Sequence, residues 1–212
     1  MTGGFKLYGR PGSGSGACEA ILALSGLPHE IIDLDRWEQG GAPADFLTIS
    51  PLGQVPALVL PDGGDMTESA AICLYLADLA AGDRLAPPPD SPLRAPYLRW
   101  MVYLAANNYM TALRFYYPDR HTTAQDGADG VKAAAVQRAG VEWTVLAEAI
   151  GKGPYLLGED MCAADIYAAM LMSWDLDVEA LFTAHPALAR LYAAVASHPK
   201  IAPVWRRHDM PA

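Results

Sequence analysis

Three short stretches carry residue types that could do chemistry, and all three lie in the first third of the chain. The first is Gly9-Arg10-Pro11-Gly12-Ser13-Gly14-Ser15-Gly16. Glycine lets a ligand approach the backbone, and the amides that open a helix carry partial positive charge, so this loop suits an anion or a thiolate. A tight turn with Ser15 as helix N-cap accounts for the same residues without a ligand. The GK[ST] ending of a nucleotide-binding loop is absent.

The second stretch is Pro51-Leu52-Gly53-Gln54-Val55-Pro56-Ala57-Leu58. Pro56 cannot donate to a strand ladder, so it belongs at a strand start, and it pushes Val55 to an extended conformation. The Val55-Pro56 bond is open to either isomer. The third is Thr67-Glu68-Ser69-Ala70-Ala71-Ile72. A hydroxyl and an amide at a helix start, beside a carboxylate, could hold a group carrying both a carboxylate and an ammonium. A capped helix explains the pattern equally.

The elements that must position these stretches follow from periodicity. Phe5 to Gly9 reads as a strand, Ala17 to Ser25 as a helix and His29 to Leu34 as a second strand, which implies a right-handed crossover and parallel pairing. Ala44 to Ile49 is a short helix. Val55 to Leu60 and Asp65-Met66 flank Pro61-Asp62-Gly63-Gly64, whose turn chemistry fits a hairpin. Ser69 to Ala80 is a further helix, and the order is βαβαββα. The stretch from Gly82 to Pro92 holds four prolines in eleven residues and reads as a linker.

Beyond the linker every periodic segment is helical. Tyr97, Trp100, Met101, Leu104 and Asn108 share one face, as do Val136, Trp143, Leu146, Ala147 and Ile150. Asp165 to Met172 is apolar nearly all round, as a helix buried among others is. Two domains are therefore expected, an α/β domain at 1–81 and an all-helical domain at 92–212.

Composition narrows the function. The 212 residues are 52% hydrophobic and 18% charged, with a net charge of −9, a pI near 4.9 and a mean hydropathy of +0.11. The chain is too apolar for disorder and has no run of about 18 apolar residues to span a membrane. Its field repels nucleic acid and anionic membrane. No signal-peptide pattern opens it, so a cytoplasmic protein is expected. Cys18, Cys73 and Cys162 form no CxxC pair and the five histidines have no ligand spacing, so neither a disulfide framework nor a metal is expected.

The Gly/Ser turn, the GQVPAL segment, Glu68-Ser69-Ala70-Ala71-Ile72, a proline-bearing linker and a helical second half, in that order, resemble the cytosolic glutathione S-transferases, bacterial serine-type or beta-like members in particular. The resemblance covers essentially the whole chain. It implies a thioredoxin-like first domain in which Pro56 is cis, Val55 pairs by backbone with the cysteinyl part of glutathione, and Glu68 and Ser69 hold the γ-glutamyl end. Gln54 stands where bacterial members often have a basic residue. Arg10 is among the few cations near the loop that could draw in an anion.

Such an enzyme must make a thiolate from a thiol whose pKa is about 8.5. By resemblance, Ser13 matches the activating serine, Gly14 falls where other bacterial members have a catalytic cysteine, Ser15 lies beside it, and Tyr8 matches the tyrosine of further classes. Ser13, Ser15 and Tyr8 remain three alternatives. Tyr103, Asn107, Tyr109, Met110 and Arg114 are candidates for the pocket of a small apolar electrophile, with Asn107 or Asn108 facing the cleft. Relatives also open their buried helix with a Ser/Thr-x-x-Asp box, where this chain has Cys162-Ala163-Ala164-Asp165. A homodimer is implied. The functions in view are conjugation of glutathione, glutathione-dependent disulfide reduction or ether or halide cleavage, and binding without catalysis.

Overall fold

The computed structural model describes residues 3–37, 41–80 and 84–211. Gly82 and Asp83 of the expected linker, and the boundary expected at residue 81, lie outside the described residues. Strands β1 (Phe5–Gly9), β2 (His29–Asp33), β3 (Ala57–Val59) and β4 (Asp65–Met66) form one mixed sheet in the order β2-β1-β3-β4. The first pair is parallel and the others are antiparallel. The β3-β4 turn closes with Leu60 N–H donating to Gly64 O at 2.7 Å. Helices α1 (Ser15–Ser25), α2 (Ala44–Ile49) and α3 (Ser69–Leu79) complete this half.

The second half holds α4 (Arg94–Tyr103), a π turn (Leu104–Tyr109) running into α5 (Met110–Tyr116), then α6 (Ala128–Ile150), α7 (Ala163–Met172), α8 (Val178–Ala184), α9 (Pro186–Ala196) and α10 (Ala202–Arg207). Leu104 and Asn108 are buried, as their shared face requires. Val136 is not, at 47% exposure. Ala135 takes the buried place instead, in line with the buried Glu142 and Leu146 seven and eleven residues on. The halves share a continuous apolar core and are tied by a bidentate Arg94–Asp78 pair at 2.6 and 2.8 Å. Among the described residues no helix is long and apolar enough to cross a membrane.

All ten residues of α7 are buried. Water cannot reach its first amides, and Ala163 N–H donates instead to Leu85 O at 2.8 Å. Asp165 satisfies the amides just ahead of the helix: Oδ1 accepts from Leu156 N–H and Oδ2 from Cys162 N–H, both at 2.8 Å, and the Cys162 thiol donates to Oδ2 at 3.0 Å. Burial pushes its carboxyl up to about 6 despite these donors. A carboxyl raised above its unfolded value of about 4 contributes stability that is lost as pH rises through the folded pKa. Asp165→Asn leaves a buried donor unpaired and is expected to cost about 1–3 kcal/mol in urea unfolding. The gap between the two proteins should narrow as pH rises from about 4 to about 6; a constant gap would show that Asp165 does not titrate there.

Candidate functional site

Between β1 and α1 the chain folds its two serine hydroxyls back onto Arg10. Ser13 Oγ donates to Arg10 O at 2.8 Å and accepts from Ser15 N–H at 3.3 Å. Ser15 is 2% exposed; its Oγ reaches the same carbonyl at 3.1 Å and accepts from Arg10 N–H at 3.2 Å. The two hydroxyl oxygens are 2.9 Å apart. Ser15 is thus the first helical residue and Gly14 the cap, with no side-chain capping bond, in contrast to the expected Ser15 cap. The reason is the competing bond to Arg10.

The loop is anchored from the far end of the chain. Gly12 N–H donates to His208 Nδ1 at 3.2 Å, which puts the histidine proton on Nε2, facing Glu19 Oε2 at 3.0 Å. Arg207 Nε lies 3.4 Å from the other Glu19 oxygen. Gly12 has φ +70°, a conformation open to glycine.

The other two stretches meet opposite this loop. The Val55-Pro56 bond is cis, the isomer the resemblance implies. Glu68, just before α3, has φ +66°, unusual for a residue with a side chain and of the kind that collects at functional sites. No side chain caps α3; the Ser69 hydroxyl instead bonds Tyr167 OH at 2.7 Å. Gln54, Val55, Pro56, Glu68 and Ser69 line one side of a cleft of about 160 Å³, faced from the helical half by Tyr109 and Met110.

Tyr109 crosses this cleft to the Gly/Ser loop. A Cβ on Gly14 would lie 2.6 Å from Tyr109 OH and 3.2 Å from its ring, so the absent side chain at residue 14 makes room for the phenol. The Tyr109 ring stacks on Tyr167, with centroids 6.3 Å apart, and meets Trp174 edge-on at 5.3 Å. Burial raises the Tyr109 phenol well above its ordinary value, so it keeps its proton and remains a donor.

Other expected residues sit apart from the cleft. Tyr8 packs its ring on Phe46 at 5.8 Å, and Arg10 lies over the Trp37 ring at 4.3 Å. Tyr103 OH donates to Glu142 O at 3.0 Å, and Asn107 Nδ2 to Tyr103 O at 3.1 Å. Arg114 is exposed on the last turn of α5, and Asn108 lines a different cavity. Neither asparagine therefore lines the cleft; the π turn carries both to the α6 side. Cys18 is core, with Sγ 3.6 Å from Cys73 Sγ. Sequence reasoning missed Tyr167, Ala105 and Leu113, which also line the cleft. A lone hydroxyl inside the apolar 165–172 run was the available signal for Tyr167.

Comparison with known proteins gives the same outline. The family model described as glutathione S-transferase, N-terminal domain, matches residues 16–79, and that for the C-terminal domain matches 109–205. The chain is 31% identical to the uncharacterized GST-like protein YncG of Escherichia coli K12, over 97% of this chain and 98% of the relative. It is 28% identical to the glutathione S-transferase GstA of Escherichia coli O157:H7, covering 92% and 94%. A solved glutathione transferase homologue from sulfitobacter with bound glutathione superposes with a TM-score of 0.86 at 26% identity, covering 98% and 99%.

The Gly14 contact is directly testable. Gly14→Ala forces the phenol aside and is expected to cost about 1–3 kcal/mol, as overpacking does. In a Tyr109→Phe background the cost should fall, because the atom nearest the new methyl is gone. Additive costs in the double-mutant cycle would show that the two residues do not meet.

Proposed function

The chain belongs to the glutathione S-transferase family, and from that premise we propose that it binds glutathione between an α/β domain at 1–81 and a helical domain at 92–212 and transfers the thiolate to a small apolar electrophile. The observation that carries this reading is the meeting of Val55, Glu68, Ser69 and Tyr109 on one cleft. In it the Val55 backbone pairs with the cysteinyl unit. The Glu68 carboxylate takes the γ-glutamyl ammonium, while Ser69 and the start of α3 take its carboxylate. Gln54 offers an amide to the glycine end.

The sulfur is then directed to the start of α1. Ser15 Oγ is buried and committed to Arg10, but it reaches the same carbonyl as Ser13. Ser13 can therefore turn its single proton to a thiolate while Ser15 keeps Arg10 O satisfied. Tyr109 OH offers a second donor from the opposite side. The thiol proton leaves to solvent, the thiolate forms a bond to the electrophilic carbon, and the leaving group departs with its electron pair. Ala105, Met110 and Leu113 give the electrophile an apolar wall. Two copies of the chain are expected to pair, as the resemblance implies.

The bond of both serine hydroxyls to Arg10 favours a second reading, binding of glutathione without activation. Ultraviolet titration of the bound thiol separates the two. Transfer chemistry requires a bound thiol pKa at least about one unit below the free value of about 8.5, with Ser13→Ala raising it and slowing conjugation of an activated aryl halide about ten-fold or more. Glu68→Gln is expected to weaken glutathione binding about ten-fold in calorimetry. A bound thiol titrating at the free value establishes the non-catalytic reading. No binding at all would refute both. Comparing rates on disulfides and on ether- or halide-bearing substrates places the chemistry within the family.

A further inference from the structure

A second cavity, of about 360 Å³, opens on the other side of the helical half and shares no lining residue with the first. Its walls are largely apolar and aromatic, with Phe115, Tyr116, Trp143 and Trp174 the largest side chains, and Val136 and Leu176 are exposed at its rim. Two polar residues lining it contradict this apolar character. Asn108 and Glu142 are 4% and 2% exposed, and Asn108 Nδ2, Asn108 Oδ1 and Glu142 Oε2 have no hydrogen-bond partner within the protein.

Buried polar atoms without partners destabilise a fold and call for an explanation. The remaining Glu142 oxygen shows the contrast: Oε1 accepts from Thr111 Oγ1 at 3.1 Å and from Arg138 Nε at 2.8 Å. Asn108 is the fifth residue of the π turn Leu104–Tyr109, a distortion that recurs at functional sites. Two of the three unpaired atoms are acceptors. Asp175 and Asp177 also border the cavity, as does His185. The nearby cations are Arg138 on Glu142 and Lys132, which lies over the Phe115 ring at 4.5 Å. Glu142, Asp175 and Asp177 thus line the cavity while Arg138 and Lys132 do not, in a chain of net charge −9; Asp175 Oδ2 accepts from Trp143 Nε1 at 2.8 Å.

An ammonium group supplies three donors and no acceptor, and the Trp faces favour a cation beside them. We propose that this cavity binds small molecules carrying a protonated primary amine on an apolar body of about one aromatic ring, the ammonium donating to Glu142 Oε2 and Asn108 Oδ1. The apolar body lies against Phe115, Trp143 and Trp174. This site is independent of the glutathione reading, because the cavities have separate walls.

The test uses three probes of one shape, 2-phenylethylamine, 2-phenylethanol and phenylacetate, titrated against the intact protein by calorimetry and by tryptophan fluorescence, since Trp143 and Trp174 line the cavity. The amine is expected to bind about ten-fold more tightly than the alcohol, and the carboxylate most weakly. Glu142→Gln should weaken the amine about ten-fold and leave the alcohol within about three-fold. Because that change also touches Arg138, Ala139→Phe provides a second variant that fills the cavity without removing an ion pair; it should weaken the amine while glutathione affinity stays unchanged. Equal binding of all three probes, no saturable binding of the amine, or amine binding insensitive to Ala139→Phe in a protein that retains its fold would overturn the proposal. Loss of glutathione binding with amine binding intact would count against the transferase reading alone.

Discussion

Helix α7 is buried on every side, and the rest of the molecule is arranged around that constraint. Six of its ten residues, Ala163, Ala164, Ala168, Ala169, Met170 and Met172, are small or pliable, which lets helices from both halves approach closely. A helix so placed has no water at its start: Leu85 O takes its first amide, and Asp165 takes the amides of Leu156 and Cys162 just ahead of it. Its other side chains then set the two cavities. Tyr167 holds the Ser69 hydroxyl on one side, and Leu171 lines the second cavity. Met170 Sδ accepts from Ala17 N–H at 3.3 Å, locking α1 against the helical half.

Electrostatics explains why the cleft is built on a helix start. The only charged side chain lining it among the described residues is Glu68, and the chain as a whole is anionic. Amides and hydroxyl dipoles, whose influence is local, are therefore the groups with which such a cleft can meet an anion. The start of α3 supplies them on the cleft itself through Ser69, whereas the start of α1 does not line it and adjoins it through Tyr109, whose hydroxyl abuts Gly14. Glu68 in turn adds the cleft's one negative charge among the described lining residues, which attracts a cation and repels an anion.

Much of this was legible in the sequence because glycine and proline punctuate it. β1, α2 and β4 have the expected bounds, and the mixed sheet follows from a βαβ start and a hairpin. β3 begins at Ala57, two residues late, since Pro56 has no N–H for the ladder. α1 begins two residues early because its serines bond backward. Less legible were contacts between distant residues. Gly12 with His208 and Ser69 with Tyr167 are separated by 196 and 98 positions, and no local pattern announces either. The same limit explains why Tyr109 and Met110 line the cleft while Tyr103, Asn107 and Arg114 do not: helical period alone leaves the direction of a face undetermined, and the π turn shifts it.

The position of Tyr109 links the fold to the chemistry. Its phenol comes from the helical half, yet it occupies the space that a side chain at residue 14 of the α/β half would fill. A donor delivered this way is in place only when the two halves are packed, so the shared core around α7 is also a condition of the site. Like any phenol it carries its proton across the physiological pH range, and burial makes it less acidic still. Ser13 differs: its proton is shared with Arg10, and a neighbour can take over that bond. A preorganised donor on one side and an exchangeable one on the other is the arrangement that the proposed thiolate chemistry calls for, without either group having to ionise.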